Sequence, residues 1–206
     1  MINRVFALQM ISTFSIFLFG SAGSRGAIIN IDATRYGFAF PTDPAPTPGQ
    51  TITPITNPPG QPLNQMTVAA GTYQITNGTG QPGADSNFTG WRFNSSPNWV
   101  WNFVIADNAT NKVVFYGEAD GVQGTQAAIA AQPAVQNYLA TFTLPATTTL
   151  NFMIRDYFLP DNAGGMALNL QLIPEPSGGV LVLVATMFVG RRCRSRDHNL
   201  ACYRRY

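Results

Sequence analysis

Histidine and cysteine are nearly absent from this 206-residue chain, and the few present stand close to its C-terminus. The single histidine is His198, and the two cysteines are Cys193 and Cys202. All residues before Cys193 therefore lack both thiol and imidazole groups. This excludes from them Ser-His-Asp and Cys-His nucleophilic pairs, zinc sites built on thiolate or imidazole, and disulfide bridges.

Charged residues are also scarce, at 11% of the chain, and the basic ones are concentrated at the two ends. Residues 27–176 contain four basic and nine acidic side chains, which gives this body a formal charge of −5. The net charge of +2 on the whole chain thus comes from its termini. Because nucleic-acid binding requires a basic surface, we expect no nucleic acid among the partners.

The N-terminal 26 residues have the order of a secretory signal peptide. A charged start over residues 1–4 precedes an apolar run over 5–20 and a segment rich in small residues over 21–27. That order is typical of an export signal, and we predict cleavage between Ala22 and Ala27. An uncleaved N-terminal membrane anchor is the alternative.

The C-terminal region, residues 174–206, has a three-part pattern. Pro174-Glu175-Pro176 precedes an apolar segment over 178–190, which four arginines follow within six residues. An apolar segment backed by arginines is a stop-transfer signal, since guanidinium groups stay on the cytoplasmic side. As a helix, residues 177–190 would span roughly 21 Å, against about 30 Å of hydrocarbon. The segment thus favours transient over permanent membrane insertion, and a short buried core strand is the alternative.

This tail resembles the PEP-CTERM sorting signal of exported bacterial proteins, which a transpeptidase-like membrane enzyme, exosortase, recognises and processes. The resemblance covers residues 173–196. It implies an exosortase-type partner, a transient stay in the inner membrane, and a final location in the cell envelope, on the surface or in the extracellular matrix. The apolar part is shorter than in the family, and residues 198–206 extend beyond its usual end. The residues that would form the signal are Pro174, Glu175, Pro176, Arg191, Arg192 and Arg194.

The length and residue pattern of the body, residues 27–173, predict one all-β domain. Residues 41–62 contain eight prolines, which indicates an exposed extended loop. Elsewhere, short apolar stretches alternate with turns rich in Gly, Asn, Asp and Pro, and a helical turn is predicted at 126–131, ended by Pro133. The predicted strands are 27–40, 66–69, 71–76, 88–93, 99–106, 112–117, 138–144, 148–155 and 166–173.

Several of these strands have large apolar side chains at every second position, most clearly 99–105, 150–154 and 168–172. Such alternation is typical of strands with one packed face and one solvated face. With so little helix, the pattern predicts an antiparallel two-sheet sandwich with jelly-roll-like topology.

The loop between the last two predicted strands is the candidate metal site. Asp156, Asp161 and Asn162 offer three hard oxygen ligands, and Ca²⁺ takes 6–8 oxygens, including backbone carbonyls. The glycine pair Gly164-Gly165 would turn the chain into the last strand. The same residues are good turn formers, so a plain hairpin turn is the alternative.

This loop and the strand after it are similar to those of bacterial galactophilic lectins, small β-sandwiches in which calcium bridges to galactose. Val68-Ala69-Ala70-Gly71 is similar to an early strand of that family. The resemblance implies that Asp156, Asp161 and Asn162 bind Ca²⁺ and contact sugar hydroxyls.

The three tryptophans are candidate sugar-stacking platforms. Trp99 and Trp101 lie on an alternating face, so we expect them in the core. Trp91, between Gly90 and Arg92, is predicted to be exposed and is the candidate for stacking on a sugar.

Two functions remain open. The first is a non-enzymatic structural or adhesive protein of the exopolysaccharide matrix, and the second is a calcium-dependent carbohydrate-binding module with the same destination. A glycoside hydrolase would need a carboxylate pair such as Glu118 and Asp120, but acidic residues beside a glycine-rich turn are usually only solvated. We therefore expect no enzymatic activity, and no cofactor other than Ca²⁺.

Overall fold

The computed structural model describes residues 26–39, 45–94 and 97–174, apart from the side chain of Asp120. The signal peptide predicted over 1–26 lies outside these ranges except for Gly26, and so does the sorting signal from Glu175 onward. In the described part, no helix has the length and apolar character needed to span a membrane.

The described residues form eleven strands, two short helices and a 3-10 turn at Leu159–Asp161, and all strand pairs are antiparallel. The prediction of an all-β antiparallel fold is confirmed. The elements are β1 Ala27–Asp32, β2 Tyr36–Ala39, β3 Thr53–Thr56, β4 Gln65–Val68, β5 Gly71–Asn77, β6 Thr89–Arg92, β7 Trp99–Asp107, β8 Val113–Gln123, α1 Gln126–Ala130, α2 Pro133–Gln136, β9 Leu139–Leu144, β10 Thr148–Met153 and β11 Ala163–Leu172.

Nine strands form one hydrogen-bonded sheet that folds into two layers. Its order is β4-β10-β7-β6-β11-β5-β9, with β8 paired to β7 and β1 paired to β11. The short strand β6 joins the layers, because Trp91 pairs with Val100 of β7 on one side and with Gly164 of β11 on the other. The layers face each other, since the ring of Phe115 on β8 lies 6.1 Å from that of Phe142 on β9.

The interlayer core consists of alternate residues from both layers, as the period of two predicts. On β7, on β10 and at the residue directly after β10, these side chains are at most 1% exposed. Full burial of such side chains stabilises the fold by about 1.5–3 kcal/mol each. They are Trp101, Phe103, Ile105, Leu150, Phe152 and Ile154.

The opposite face of β7 and β10 is also buried, which the expectation of one solvated face did not include. A ribbon of β2 and β3 covers it, with Phe38 opposite Pro54 in the register. The ribbon core beneath it consists of Phe38, Ile52, Val104, Ala106, Val113 and Met153.

Asn151 lies on this covered face of β10, two residues before Met153, and is fully buried. Neither its amide nitrogen nor its carbonyl oxygen has a hydrogen-bond partner within the described residues. A buried polar group without a partner costs about 1–3 kcal/mol. The covered face therefore carries a fully buried amide with both polar atoms lacking partners, whereas the described side chains of the interlayer core on β7 and β10 have one such atom, Nε1 of Trp101.

The proline-rich segment is partly strand, so the prediction of an exposed loop over 41–62 is wrong for part of it. Ile52 is buried and residues 53–56 form β3. Pro54 is tolerated because β3 pairs with β2 alone and needs no second ladder of N–H donors.

Other boundaries also differ from prediction. The predicted strand 27–40 is two strands, because Asp32 Oδ1 accepts hydrogen bonds from the backbone N–H (2.8 Å) and hydroxyl (2.7 Å) of Thr34 and so forms a turn. Pro133 begins α2 at its first turn, where a missing N–H costs nothing, and does not simply end the preceding helix.

Candidate functional site

The loop over 156–162 is held at both ends against β2 and the interlayer core. The backbone N–H of Phe38 donates to the carbonyl oxygen of Asp156 at 3.0 Å, and Leu159 is 2% exposed. Gly37 makes this approach possible, because a Cβ there would lie 2.2 Å from that same oxygen. The loop is therefore docked on the ribbon.

Asp156 has a local task in the structure. Its Oδ1 accepts hydrogen bonds from the backbone N–H groups of Tyr157 at 2.7 Å and Phe158 at 3.3 Å. Side-chain caps of this kind fix the loop backbone without any metal. Of the three predicted calcium ligands, Asp156 is thus the one with an oxygen already in use.

The other two predicted ligands, Asp161 and Asn162, each bury a side-chain oxygen. The Oδ1 atoms of both have no hydrogen-bond partner within the described residues. Asn162 is 7% exposed, and its Nδ2 donates to the carbonyl of Ala33 at 3.1 Å. Adjacent buried acceptors without donors fit a bound cation or an ordered water, because either would supply the missing partner.

The loop has few anionic ligands for a complete metal shell. Across residues 26–39, 45–94 and 97–174, no group of three or more His, Cys, Asp or Glu side chains is placed to hold a metal ion. A Ca²⁺ ion held by Asp161 and Asn162 would therefore complete its shell with backbone carbonyls and water, as Ca²⁺ readily does.

The predicted role of the glycine pair Gly164-Gly165 is wrong. Both residues lie inside β11, which starts at Ala163 rather than Met166. Gly164 has a φ of +80°, and a Cβ there would lie 2.5 Å from the carbonyl oxygen of Gly90. The glycines allow neighbouring strands to approach closely, and they do not form the turn.

Trp91 is buried, so the prediction that it is exposed for sugar stacking is wrong. It is 1% exposed, and its Nε1 donates to the backbone carbonyl of Asn102 at 3.2 Å. Its ring also lies 6.1 Å from that of Phe93. Trp91 is part of the core at the junction of the two layers.

Two aromatic side chains for which the sequence predicted no role are exposed next to the cap of the loop. Tyr157 is 68% exposed and Phe158 is 54% exposed. Both line a cavity of about 450 Å³, and residues 54–57, 59 and 60 of the proline-rich segment line its other wall. Their position directly after Asp156, within a loop already considered as a site, was the available sequence signal.

A second cavity, of about 310 Å³, adjoins the first one. Asn57 lines both cavities. The second is mainly polar, and the other side chains that surround it are Arg35, Tyr36, Gln61, Pro62, Leu63, Asn64 and Gln65.

Glu118, considered above as half of a carboxylate pair, belongs to a hydrogen-bonded cluster. The Tyr116 hydroxyl donates to its Oε2 at 2.5 Å, and Arg155 Nη1 donates to that hydroxyl oxygen at 3.4 Å. Burial, reinforced by the bond to Glu118, raises the pKa of Tyr116 well above its usual 10. The Glu118 carboxylate therefore serves as an acceptor for a neutral phenol.

Comparison with known proteins gives no match: no family model, no curated protein and no solved structure is similar to this chain.

Proposed function

We propose that this chain is a non-enzymatic exported protein, sorted by an exosortase-type enzyme to the cell surface or exopolysaccharide matrix, where it has a structural or adhesive role. The order of the C-terminal segments carries the proposal. Pro174-Glu175-Pro176, the apolar residues 178–190 and the arginine cluster come in that sequence. They begin two residues after β11 ends at Leu172, so the sorting signal can be removed without cutting a strand.

The same proposal includes a signal peptide over residues 1–26, a transmembrane sorting helix over 178–190 and a jelly-roll-like topology of the domain. The absence of Cys and His before Cys193 supports a non-enzymatic role, since it removes the commonest nucleophiles and bases.

The test is the mass of the mature chain in a host with an exosortase-type system. We expect loss of the signal peptide and cleavage close to Pro174-Glu175-Pro176. Replacing Arg191, Arg192 and Arg194 by Gln should abolish the C-terminal step, whereas Arg204→Gln with Arg205→Gln should not. A mature chain that still ends at Tyr206 would exclude the proposal.

A calcium-dependent carbohydrate-binding module is the second candidate, favoured by the buried oxygens of Asp161 and Asn162 that lack partners. Specific binding should raise the free energy of unfolding by about 2.7 kcal/mol at a Ca²⁺ concentration of 100 Kd. Melting curves in calcium and in chelator measure this gain.

The informative variant for calcium is Asp161→Ala, which should abolish the difference between the two curves. Asp156→Ala is the less informative one, because it also removes the cap on Tyr157 and Phe158 and destabilises the loop in either buffer. Coincident curves for the unsubstituted chain would show that the loop is only a turn.

A further inference from the structure

We propose that the two cavities that meet at Asn57 form one groove for a neutral oligosaccharide. The inference rests on the proposed matrix function and names the ligand of the domain. The proposed stacking platform consists of exposed aromatic side chains other than the buried Trp91, and the groove needs no metal. Both cavities, at about 450 and 310 Å³, fall within the roughly 300–1,000 Å³ of small-ligand sites.

The aromatic end of the groove supplies stacking surfaces. Tyr157 and Phe158 are more than half exposed, although phenylalanine is among the residue types most often buried and tyrosine is intermediate. One face of a pyranose ring carries mainly C–H groups and is apolar, so it can cover an exposed ring. The facing wall is formed largely by Pro54, Ile55 and Pro59, which offer no competing charge.

The backbone that carries the two aromatic side chains is held by contacts within the fold. The Asp156 cap holds the backbone of Tyr157 and Phe158. The residue after them, Leu159, is buried in the interlayer core and anchors the loop there. The backbone bond from Phe38 to Asp156 ties the loop to the ribbon. A loop backbone that is already ordered loses less conformational entropy on binding, which favours affinity for a weakly interacting ligand such as a sugar.

The polar end supplies groups for hydroxyls. Asn57, Asn64 and Gln65 use their amide N–H groups on Thr34, Asn30 and Asn108, at 3.0, 2.8 and 2.8 Å. These bonds orient the three side chains. The exposed side chain of Gln61 makes no hydrogen bond within the described residues, so both its donor and acceptor atoms are free for a ligand.

Charge favours a neutral ligand over a uronic acid polymer. Arg35 is the one cation lining either cavity among the described residues, and its Nε lies 4.0 Å from Asp32 Oδ2. The formal charge of −5 on residues 27–176 would repel a polyanion.

A proline-rich peptide suits the groove less well. It would fit the aromatic end, but its prolines have no N–H groups to satisfy the acceptors at the polar end. Binding it there would desolvate amide groups without replacing their hydrogen bonds, which is costly. A saccharide carries a hydroxyl on almost every carbon and pairs with both donors and acceptors.

Binding is tested by calorimetry with the full chain, purified in a detergent with a polyoxyethylene headgroup so that no detergent sugar competes. The probes are neutral tetrasaccharides of glucose, galactose and mannose, a polygalacturonate fragment as the acidic probe, and a proline-rich decapeptide. We expect a neutral tetrasaccharide to bind equally well in calcium and in chelator. No binding by any neutral probe, or tighter binding of the acidic probe or peptide, would overturn the inference.

Variants locate the site. Tyr157→Ala should weaken binding about three- to tenfold, the worth of one aromatic contact, and Gln61→Ala should weaken it too. Both side chains are exposed, so the fold should persist. Leu139→Ala, which truncates a 62% exposed side chain on β9, is the matched control and should bind normally. Unchanged affinity in both groove variants would place any binding elsewhere.

The outcome is separable from that of the proposed function. A chain that is processed and retained in the matrix but binds no neutral probe would refute the groove and leave the proposed function standing. A chain that binds in vitro but shows neither cleavage nor export would refute the proposed function and leave the groove standing.

Discussion

The interlayer core and the ribbon core differ in size, composition and task. Within the described ranges, the interlayer core joins both layers through twenty-two buried residues, several of them aromatic. The ribbon core has six, and the fully buried Asn151 lies on the strand face that it covers. The first determines whether the chain folds, and the second positions the loop that carries Tyr157 and Phe158.

This difference indicates where the molecule can change most easily. Segments with few buried apolar contacts open at a lower free energy than the rest of a fold. The ribbon is such a segment, and both cavities of the proposed groove are lined in part by its residues. We therefore expect binding and local opening to be associated with the ribbon, and global stability with the interlayer core.

The largest expected effect is in the interlayer core. Phe103→Ala removes a fully buried ring and should lower the free energy of unfolding by about 3–5 kcal/mol. Phe38→Ala, beneath the ribbon, should lower the free energy of global unfolding by less, because the ribbon can open without the rest of the fold. Denaturant unfolding with amide hydrogen exchange measures both effects, and loss of protection throughout the fold in Phe38→Ala would remove the distinction.

A smaller effect is expected where the ribbon meets the loop. Gly37→Ala places a Cβ against the carbonyl oxygen of Asp156, so the strand and the loop must separate. We expect a loss of about 1–3 kcal/mol, the usual cost of an overpacked site, together with weaker saccharide binding. Gly124→Ala is the control, since a Cβ there meets nothing within 4 Å. Equal melting temperatures for the two variants would show that the loop adapts.

Replacing the buried amide of Asn151 should change the free energy of unfolding in the opposite direction. Asn151→Leu removes two polar atoms without partners and should raise the free energy of unfolding by about 1 kcal/mol. The buried Asn102 is the control, because its Oδ1 accepts the backbone N–H of Arg155 at 3.3 Å and Asn102→Leu should destabilise. If Asn151→Leu destabilises instead, its amide has a partner that the described residues do not supply.

The smallest effect is a pH dependence in the interlayer core. Burial against Trp101 and Phe103 raises the pKa of Tyr138 from 10.0 to about 12. The neutral phenol is favoured by folding, so its contribution to stability is complete below pH 10 and is lost as pH rises towards 12. The melting temperature should therefore fall over that interval, and Tyr138→Phe should reduce the fall. An identical alkaline slope in that variant would assign the effect to other groups, such as Tyr116.

The sequence predicted the interlayer core well because its signal is local. Side chains at positions 150, 152 and 154 alternate with others along β10 and the residue directly after it, and period two alone assigns them to one face. The ribbon core gave no such signal. The burial of Met153 depends on Phe38, which lies more than one hundred residues earlier in the chain. The strand β3 was not predicted, because Pro54 is unfavourable within a strand.

The site was predicted only in part, for the same reason. Turn chemistry correctly located a structured loop after Asp156, but it could not show which oxygens remain without partners. That depends on Asn162 reaching Ala33, 129 residues away. The prediction for Trp91 was wrong for a similar reason. Its neighbours Gly90 and Arg92 favoured an exposed side chain, whereas its burial comes from strands paired on both sides of β6.

The pairing of β1 with β11 joins the first and last strands of the domain, Ala27 opposite Leu170. Contacts so distant along the chain form slowly, because a long loop must close before they can contribute. The sheet cannot be completed until the segment just before Pro174 is available. Under the export that the proposed function requires, the strand order would keep the nine-stranded sheet incomplete until residues 163–172 had left the channel.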